Sequence, residues 1–253
     1  GDVERKLVFS GDLGNVDQPI IRDPEFLEEA DYVVMESTYG DRNHAESWSY
    51  TDDLAKIIDE TIASGIIGEP KMLTANLCYA ITQNHRIVVP ELAGGALLDV
   101  GVYTLNFAEM VFGRADGVRC ACTKNENGVD LTDSITLTWR DGRVANLTAG
   151  VHCVSDQLGV IYGTDGYVMV EDINNPTGLK VFDRDRRLVR EVSCPPKLTG
   201  YEYEVLETAR CIREGLRECP SMPHQETIYM LELMDHVRAQ MGIHYPCEDV
   251  DAL

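Results

Sequence analysis

The pattern of apolar and polar positions along the first 63 residues predicts short strands and short helices. Apolar runs rich in β-branched residues predict strands, and apolar residues at helical spacing predict helices. The strands are expected at 7–9 and 31–37, and the helices at 24–30 and 51–65. The second helix has the stronger pattern, because Thr51 can cap its N-terminus and Gly65 can terminate it. This region is therefore predicted to be a small α/β fragment.

The pattern after residue 68 is dominated by short strands that tight turns separate. One strand, at 69–80, leads through a loop at 81–92 into a buried helix at 93–112. Further strands and two long helices follow, at 116–124, 130–139, 143–153, 158–163, 166–171, 178–183, 187–193, 201–216 and 224–243. A strand-rich meander flanked by helices is typical of α+β proteins. The expected fold is an open, mostly antiparallel sheet with helices on one face, preceded by the α/β fragment.

Charge is distributed unevenly between the two regions. Residues 1–63 carry 16 acidic and 5 basic side chains, whereas the remaining residues carry 27 acidic and 17 basic ones. The charge and the hydrophobic pattern change within ETIASGIIGEP, residues 60–70. This segment is not enriched in Gly, Ser or Pro, the residues typical of linkers. Two modules are therefore predicted, residues 1–64 and residues 65–253, joined without a linker.

Overall charge and composition narrow the class of partner. A net charge of −21 repels phosphate backbones, so nucleic-acid binding is not expected. No wholly apolar run reaches the ~18 residues that span a bilayer, and the polar start GDVERK is not a signal peptide, so no membrane association is expected. The eight cysteines are scattered, which predicts reduced thiols in a cytoplasmic protein rather than a disulfide framework or a zinc site.

The stretch AGGALLDVGVYTLN, residues 93–106, carries the candidate chemistry. Asp99 and Tyr103 are four residues apart, so a helix places both side chains on one face. Burying both without partners would cost about 2–7 kcal/mol each, so this face is not pure core. Two interpretations stay open. Either a core tyrosine bonds a carbonyl while the aspartate caps a turn, or a proton-transfer tyrosine lies beside a carboxylate in a substrate cleft.

His152 is a further polar residue in a predicted strand, within LTAGVHCV. It is interpreted either as a plain strand histidine or as a side chain that points into the cleft and binds substrate. The histidines form no nucleophilic triad with Ser10 and Asp12.

The segment PELAGGALLDVGVYTLNFAEMVFG, residues 90–113, strongly resembles the C-terminal domain of the Gfo/Idh/MocA oxidoreductases. GIIGEPKMLTANL, IYGTDGYVMVED and the closing MPHQETIYMLELMDHVRAQMGIHYPCE resemble other parts of that domain, in the same order. Tyrosine at position 103 is typical of the branch that holds glucose–fructose oxidoreductase and dimeric dihydrodiol dehydrogenase. The resemblance covers most of residues 65–249.

This resemblance implies an NAD(P)-dependent oxidoreductase that acts on a small sugar or trans-dihydrodiol. Tyr103 would be the acid/base for the substrate hydroxyl, and Asp99 would help to position that substrate. Arg86 matches an arginine usual before the following proline, and with His152 it would bind substrate. By the same resemblance, the sheet face opposite the helices would join copies of the chain into a homo-oligomer.

The nucleotide-binding Rossmann domain of that family is not predicted in this sequence. The pattern GxGxxG and the family's Glu-Lys-Pro lysine both fail to occur. Without that cation the phenol, whose ordinary pKa is near ~10, would stay protonated, and the cofactor pyrophosphate would lack its docking turn. The chain is therefore expected to be inactive alone. The alternative is a non-catalytic carbohydrate-binding or oligomerisation module.

The segments KLVFSGDLG and VVMESTYGDRNH resemble a second family, the β-CASP nucleases of the metallo-β-lactamase fold. That resemblance makes Asp12 a metal-bridging ligand and places Glu36 and His44 at further family positions. The His-rich ligand run expected before SGDLG is missing, so Asp12 is interpreted as vestigial and metal binding is not expected. The chain is interpreted as a fusion of two truncated modules, with a metal-dependent hydrolase remnant as a further alternative.

Overall fold

The computed structural model describes residues 7–9, 32–34, 50–194 and 200–248. The chain divides into two compact units, residues 1–47 and residues 48–253. In the first unit, β1 (Leu7–Phe9) pairs in parallel with β2 (Tyr32–Val34). Both strands lie where the sequence predicts them. The predicted helix at 24–30 and the residues Asp12, Glu36 and His44 lie outside the described residues.

The second unit begins with helices and one strand and continues as a strand meander. The first elements are α1 (Tyr50–Ala63), β3 (Pro70–Cys78), α2 (His85–Val88), a 3₁₀ turn (Pro90–Leu92), a π-helical turn (Leu97–Gly101) and α3 (Val102–Phe112). The meander is β4 (Gly117–Lys124), β5 (Asp130–Thr138), β6 (Val144–Gly150), β7 (Gly159–Gly163), β8 (Gly166–Glu171), β9 (Gly178–Asp183) and β10 (Leu188–Ser193). The last elements are α4 (Tyr201–Arg213), α5 (His224–Met241) and a 3₁₀ turn (Pro246–Glu248).

Eight strands form one open sheet in the order β10-β9-β8-β7-β3-β6-β5-β4. β3 and β6 pair in parallel, with Leu73 opposite Ala145, and the other neighbours in this sheet are antiparallel. The expected open, mostly antiparallel α+β architecture is confirmed. The parallel pair brings Cys78 and Gly150 together, so the carboxyl ends of two strands distant in sequence meet at one edge.

One face of the sheet is apolar and packs against helices. In β6, Ala145, Leu147 and Ala149 are buried, whereas Asn146 and Thr148 between them are exposed. This period-two alternation is typical of a sheet with one solvated face, and each fully buried leucine or isoleucine contributes about 1.5–3 kcal/mol. The same core contains residues of α1, α3 and α5, among them Ile58, Leu105 and Val237.

Two sequence expectations are wrong at the ends of elements. The strand predicted at 143–153 ends at Gly150, and residues 151–153 form a bend. The loop expected at 81–92 contains α2 and the 3₁₀ turn. The side chain of Asn84 caps the N-terminus of α2, since it accepts a hydrogen bond from the N–H of Arg86.

The boundary between the two predicted modules stays a prediction. The sequence places it after residue 64, whereas α1 belongs to the second structural unit and Ile58 is 1% exposed in that unit's core.

The segment Pro90–Phe112 is long and apolar enough to cross a bilayer by length and composition alone, with a mean hydropathy of 1.2. Within this fold 56% of that stretch is buried, and its α3 part packs on β3 and β6. Its apolar character is therefore accounted for by packing on the sheet.

Candidate active site

A pair of glycines turns the chain into the helix that carries the candidate site. A Cβ on Gly94 would lie 2.5 Å from the carbonyl oxygen of Arg86, and a Cβ on Gly95 would lie 2.2 Å from Oδ1 of Asp130. Gly95 also has a φ of +128°, a backbone conformation that other residues rarely adopt. The close approach of backbone to neighbouring groups therefore requires glycine at both positions.

Two buried side chains hold the start of this helix. Oδ2 of Asp130 accepts a hydrogen bond of 2.7 Å from the N–H of Leu97, which would otherwise be an unpaired donor at a helix N-terminus. The hydroxyl of Tyr245 donates to the carbonyl of Gly94 at 2.9 Å. These contacts come from strand β5 and from the segment after α5, so tertiary structure fixes the position of the site.

The helix begins with a π-helical turn, in which the N–H of Val102 donates to the carbonyl of Leu97. Such wide single turns occur often at functional sites. Asp99 lies within this turn, and Tyr103 lies in the first turn of α3. The predicted helix at 93–112 is thus an α-helix only over Val102–Phe112. The turn before it, which contains Asp99, is π-helical.

Arg86 and Asp99 form an ion pair between Nη2 and Oδ1. The aspartate side chain is 18% exposed and the arginine side chain 51% exposed, so the pair lies at a surface. An exposed pair of this kind stabilises a fold by only about 0–1 kcal/mol. The other N–H donors of Arg86 contact no acceptor in the described part of the chain, and they can bind a ligand.

Tyr103 is 43% exposed, and its hydroxyl makes no hydrogen bond with any residue that the structure describes. Partial burial raises the pKa of this phenol, and the nearby acidic groups of Tyr201, Asp99, Glu204 and Tyr79 raise the pKa further. The phenol is therefore protonated at neutral pH and can donate a proton or a hydrogen bond. The interpretation of a core tyrosine bonded to a carbonyl does not fit this environment.

The sequence did not single out the residues around Tyr103. Tyr79 directly follows β3, while Tyr201 and Glu204 lie in the first turns of α4, about a hundred residues away in sequence. The sequence offered one signal for these neighbours, which is that Tyr79 lies at the end of a predicted strand. Side chains at the ends of neighbouring strands often lie close together at one edge of a sheet. The exposure of Tyr201, at 72%, leaves its ring accessible beside the site.

His152 lies in the bend after β6. Its Nδ1 is 3.1 Å from the carbonyl of Leu131 and 3.2 Å from Oγ1 of Thr132, and the side chain is exposed. The structure therefore brings Arg86, Asp99 and Tyr103 together and gives His152 contacts with β5 instead. A substrate-binding role for His152 stays a prediction.

The connection between β3 and α2 does not fit the pyrophosphate of a nucleotide cofactor. Binding of a pyrophosphate requires a Gly-rich turn between a strand and the N-terminus of a helix. In the larger unit the strand–helix connection from β3 leads to α2, a four-residue helix capped by Asn84. This connection thus does not offer the Gly-rich turn that a pyrophosphate needs.

One group of side chains in the described region has the spacing of metal ligands. Ligand atoms of Glu207, Cys211 and Cys219 all lie within 4.8 Å of one another. Arg210 donates to both oxygens of Glu207 and lowers the pKa of that carboxyl to about 2. The carboxylate charge is therefore already balanced, and neither Cys211 nor Cys219 forms a disulfide.

A cavity of about 310 Å³ lies elsewhere, at the C-terminal end of α3. It is lined by Phe112, Arg143 and residues of α1 and β3. Since Tyr103 is in the first turn of the same helix, about 13 Å away at 1.5 Å per residue, this cavity is separate from the candidate site.

Comparison with known proteins identifies the fold. Residues 56–169 match the family model of the GFO/IDH/MocA C-terminal domain. The trans-1,2-dihydrobenzene-1,2-diol dehydrogenase of Xenopus tropicalis is 30% identical over 206 residues, which are 79% of this chain and 62% of that protein. The human protein of the same name is 26% identical over 212 residues, again 79% and 62%. This chain thus spans less than two thirds of the length of these relatives.

Solved structures share the fold of the larger unit. A 3-ketoreductase from Actinomadura kijaniata, in complex with NADP and TDP-benzene, has a TM-score of 0.63 at 20% identity, over 77% of this chain and 60% of that one. An aldose-aldose oxidoreductase from Caulobacter crescentus, complexed with glycerol, has a TM-score of 0.64 at 16% identity, over 76% and 59%. Residues 56–169 of this chain therefore match the GFO/IDH/MocA C-terminal domain, and the larger unit shares its fold with these two solved oxidoreductases.

Proposed function

We propose that residues 65–248 form the substrate side of an NAD(P)-dependent oxidoreductase that acts on a sugar or diol. The observation that carries this proposal is the exposed phenol of Tyr103, which has no hydrogen-bond partner in the described chain and lies beside the ion pair of Arg86 and Asp99. The relatives named as dihydrodiol dehydrogenases and the structure named as a 3-ketoreductase support the reaction class.

In this proposal Tyr103 transfers the proton. Reduction of a carbonyl needs one hydride at carbon and one proton at oxygen. The raised pKa of Tyr103 keeps the phenol protonated at neutral pH, so it donates that proton to the carbonyl oxygen. Carbonyl reduction is therefore the direction that this isolated site favours, and oxidation of the alcohol would require a cation near the phenol.

Arg86 and Asp99 orient the substrate next to Tyr103. The guanidinium donates hydrogen bonds to a substrate hydroxyl or carbonyl, and the carboxylate accepts one from a neighbouring hydroxyl. A vicinal diol or a sugar offers both kinds of group on adjacent carbons. The net charge of −21 disfavours phosphorylated substrates, so the expected ligand is an uncharged polyol or hydroxyketone.

The hydride would come from a nicotinamide cofactor, which the described residues do not hold. Activity therefore depends on a nucleotide-binding domain supplied from outside the described residues. Assembly of copies through the open face of the sheet and a cytoplasmic location also stay proposals.

The test is polyol binding, because it needs no cofactor. Purified chain is mixed with glycerol, glucose and trans-1,2-cyclohexanediol, and saturation-transfer NMR detects the bound polyol. Tyr103→Phe and Asp99→Asn should each weaken binding. Tyr167→Phe is the matched control, since Tyr167 stacks on Phe182 in the sheet with a centroid distance of 4.7 Å.

A second measurement follows the fluorescence of NADPH during titration with the same chain. Absence of cofactor binding together with polyol binding at the Tyr103 site is the expected result. Equal polyol binding by wild type, Tyr103→Phe and Asp99→Asn would refute the proposed site. Unaided reduction of a hydroxyketone by NADPH would refute the dependence on a separate nucleotide-binding domain.

A further inference from the structure

Two carboxyl groups lie in the core directly beneath the helix that carries the candidate site. Asp130 and Asp133 are both on β5, and the relative exposure of each is 0%. Ionised carboxylates are almost never fully buried without a cation or several hydrogen-bond donors. Neither residue forms an ion pair with a described lysine, arginine or histidine. These two groups therefore need another explanation.

A β-bulge places both side chains on the same face of the sheet. On a regular strand, residues three apart point to opposite faces. The register between β4 and β5 shifts here, because Thr123 lies opposite Thr132 whereas Lys124 lies opposite Asp130. The extra residue in β5 turns Asp130 to the buried side that Asp133 already occupies.

The hydrogen bonds of the pair are incomplete when both groups are ionised. The N–H of Leu97 satisfies Oδ2 of Asp130, and the other three carboxyl oxygens then have no donor. A proton on Asp133 supplies the missing donor, and Oδ1 of Asp130 is the free acceptor. Burial, followed by the charge and the hydrogen bond of Asp130, raises the pKa of Asp133 to about 9.

The groups that face the pair from neighbouring elements do not supply a cation. Cys120 and Cys122 of β4 have pKa values that are raised, chiefly by burial. Tyr245, after α5, likewise has a raised pKa, from burial and then from Asp130. All three groups are neutral at neutral pH. Two cations lie nearby, but the ammonium of Lys124 donates to the carbonyl of Gly242 and the guanidinium of Arg238 pairs with Asp235 and Glu248. Neither cation forms an ion pair with Asp130 or Asp133.

We propose that Asp133 is a positioning residue: it donates a shared proton to Asp130, and the resulting acid–carboxylate pair holds the Gly95–Gly101 segment in place. The proton leaves Oδ2 of Asp130 free to bind the N–H of Leu97. That bond fixes the π-helical turn, and with it the orientation of Asp99 towards Arg86. The shared proton does not depend on the proposed function, whereas its consequence for catalysis rests on it.

The number of protons released on unfolding tests the shared proton. In the folded chain Asp133 keeps this proton up to about pH 9, whereas in the unfolded chain it loses the proton at about pH 4. Stability from this group is therefore complete below the unfolded pKa and is lost as pH rises towards the folded pKa. Urea unfolding between pH 5 and 8 should show a steeper pH dependence in wild type than in Asp133→Asn, by tenfold in the unfolding constant per pH unit.

The matched control for this measurement is Asp59→Asn, which removes a carboxylate from an exposed position on α1. It should leave the wild-type pH dependence unchanged. An Asp133→Asn variant with the same pH dependence as wild type would overturn the proposal, because it would show that the folded state holds no extra proton.

Amide hydrogen exchange tests the positioning role separately. Peptides covering 94–103 should stay protected in Asp133→Asn, because the amide still donates to Asp130. Protection should fall in Asp133→Leu, which leaves the carboxylate of Asp130 buried without that donor. Equal protection in the two variants would overturn the positioning role. If Asp133→Leu does not fold, the test rests on Asp133→Asn alone. Loss of protection in Asp133→Asn would then overturn the positioning role.

Failure of the polyol-binding test leaves both of these measurements intact, since neither uses a ligand. If the shared proton is present and polyol binding is absent, the proposed function fails alone. If polyol binding is present and Asp133→Asn matches wild type in its pH dependence, the inference about the acid pair fails alone.

Discussion

Replacing Gly95 by alanine should destabilise the fold more than a glycine substitution in a turn usually does. The new Cβ would lie 2.2 Å from Oδ1 and 2.8 Å from Cγ of Asp130, so the carboxyl group has to move. A side chain at a φ of +128° adds backbone strain of about 1–3 kcal/mol. Displacing Asp130 breaks its bond to Leu97, and a hydrogen bond to a charged group contributes about 1.5–3 kcal/mol.

The two effects together predict a loss of about 2.5–6 kcal/mol in the free energy of unfolding. Urea denaturation followed by circular dichroism measures it. Gly142→Ala is the matched control, since Gly142 has a φ of +90° but no atom within 4 Å of its added Cβ. The free energy of unfolding of this control should fall only by the backbone strain of about 1–3 kcal/mol. Equal losses for the two variants would refute the reasoning, because the contact with Asp130 would then contribute nothing.

Four further predictions concern the site, the acid stability and the assembly of the chain. Tyr103→Phe should leave the free energy of unfolding within about 0.5 kcal/mol of wild type, since the hydroxyl has no described partner. With a nucleotide-binding domain supplied in trans, the same variant should lower ketone reduction by about 10²–10⁴-fold, and undiminished turnover would exclude Tyr103 as the proton donor. Arg86→Ala should cost about 0–1 kcal/mol in urea denaturation yet abolish polyol binding by NMR. Arg210 holds the pKa of Glu207 at about 2, so this carboxylate stabilises the fold above its ordinary pKa, and that contribution is lost as pH falls towards 2. Glu207→Gln should therefore flatten the dependence of stability on pH between about 5 and 2, and an unchanged acid limb would contradict the pairing. Thr148→Arg, on the open face of the sheet, should shift the chain from oligomer to monomer in light scattering, and a wild-type monomer would contradict the proposed interface.

Local pattern was sufficient for most of the secondary structure. The alternation of Ala145, Leu147 and Ala149 with exposed polar residues fixes β6 as a half-buried strand, because a pleated backbone sends successive side chains to opposite faces. The spacing of Asp99 and Tyr103 placed both on one side of a helix for the same kind of local reason. These periodicities involve residues only a few positions apart, so they can be recognised without knowledge of the rest of the chain.

Pairing across the sheet could not be predicted in this way. The parallel contact between β3 and β6 joins residues about seventy positions apart, and it decides where Tyr79 lies relative to α3. The bulge in β5 contradicts the local period, since a regular strand would have sent Asp130 to the solvated face. His152 was predicted within a strand, but it lies in the bend of residues 151–153 that follows β6.

The sequence by itself therefore determined most of the strands and helices, and it determined the candidate acid and phenol. The tertiary structure alone decided that Arg86 meets Asp99, that Tyr201 and Glu204 approach Tyr103, and that two aspartates share the space beneath Gly95. The physical reason is range. Backbone geometry imposes its period within a few residues, whereas burial and charge pairing act between whichever groups the strand order and register bring together.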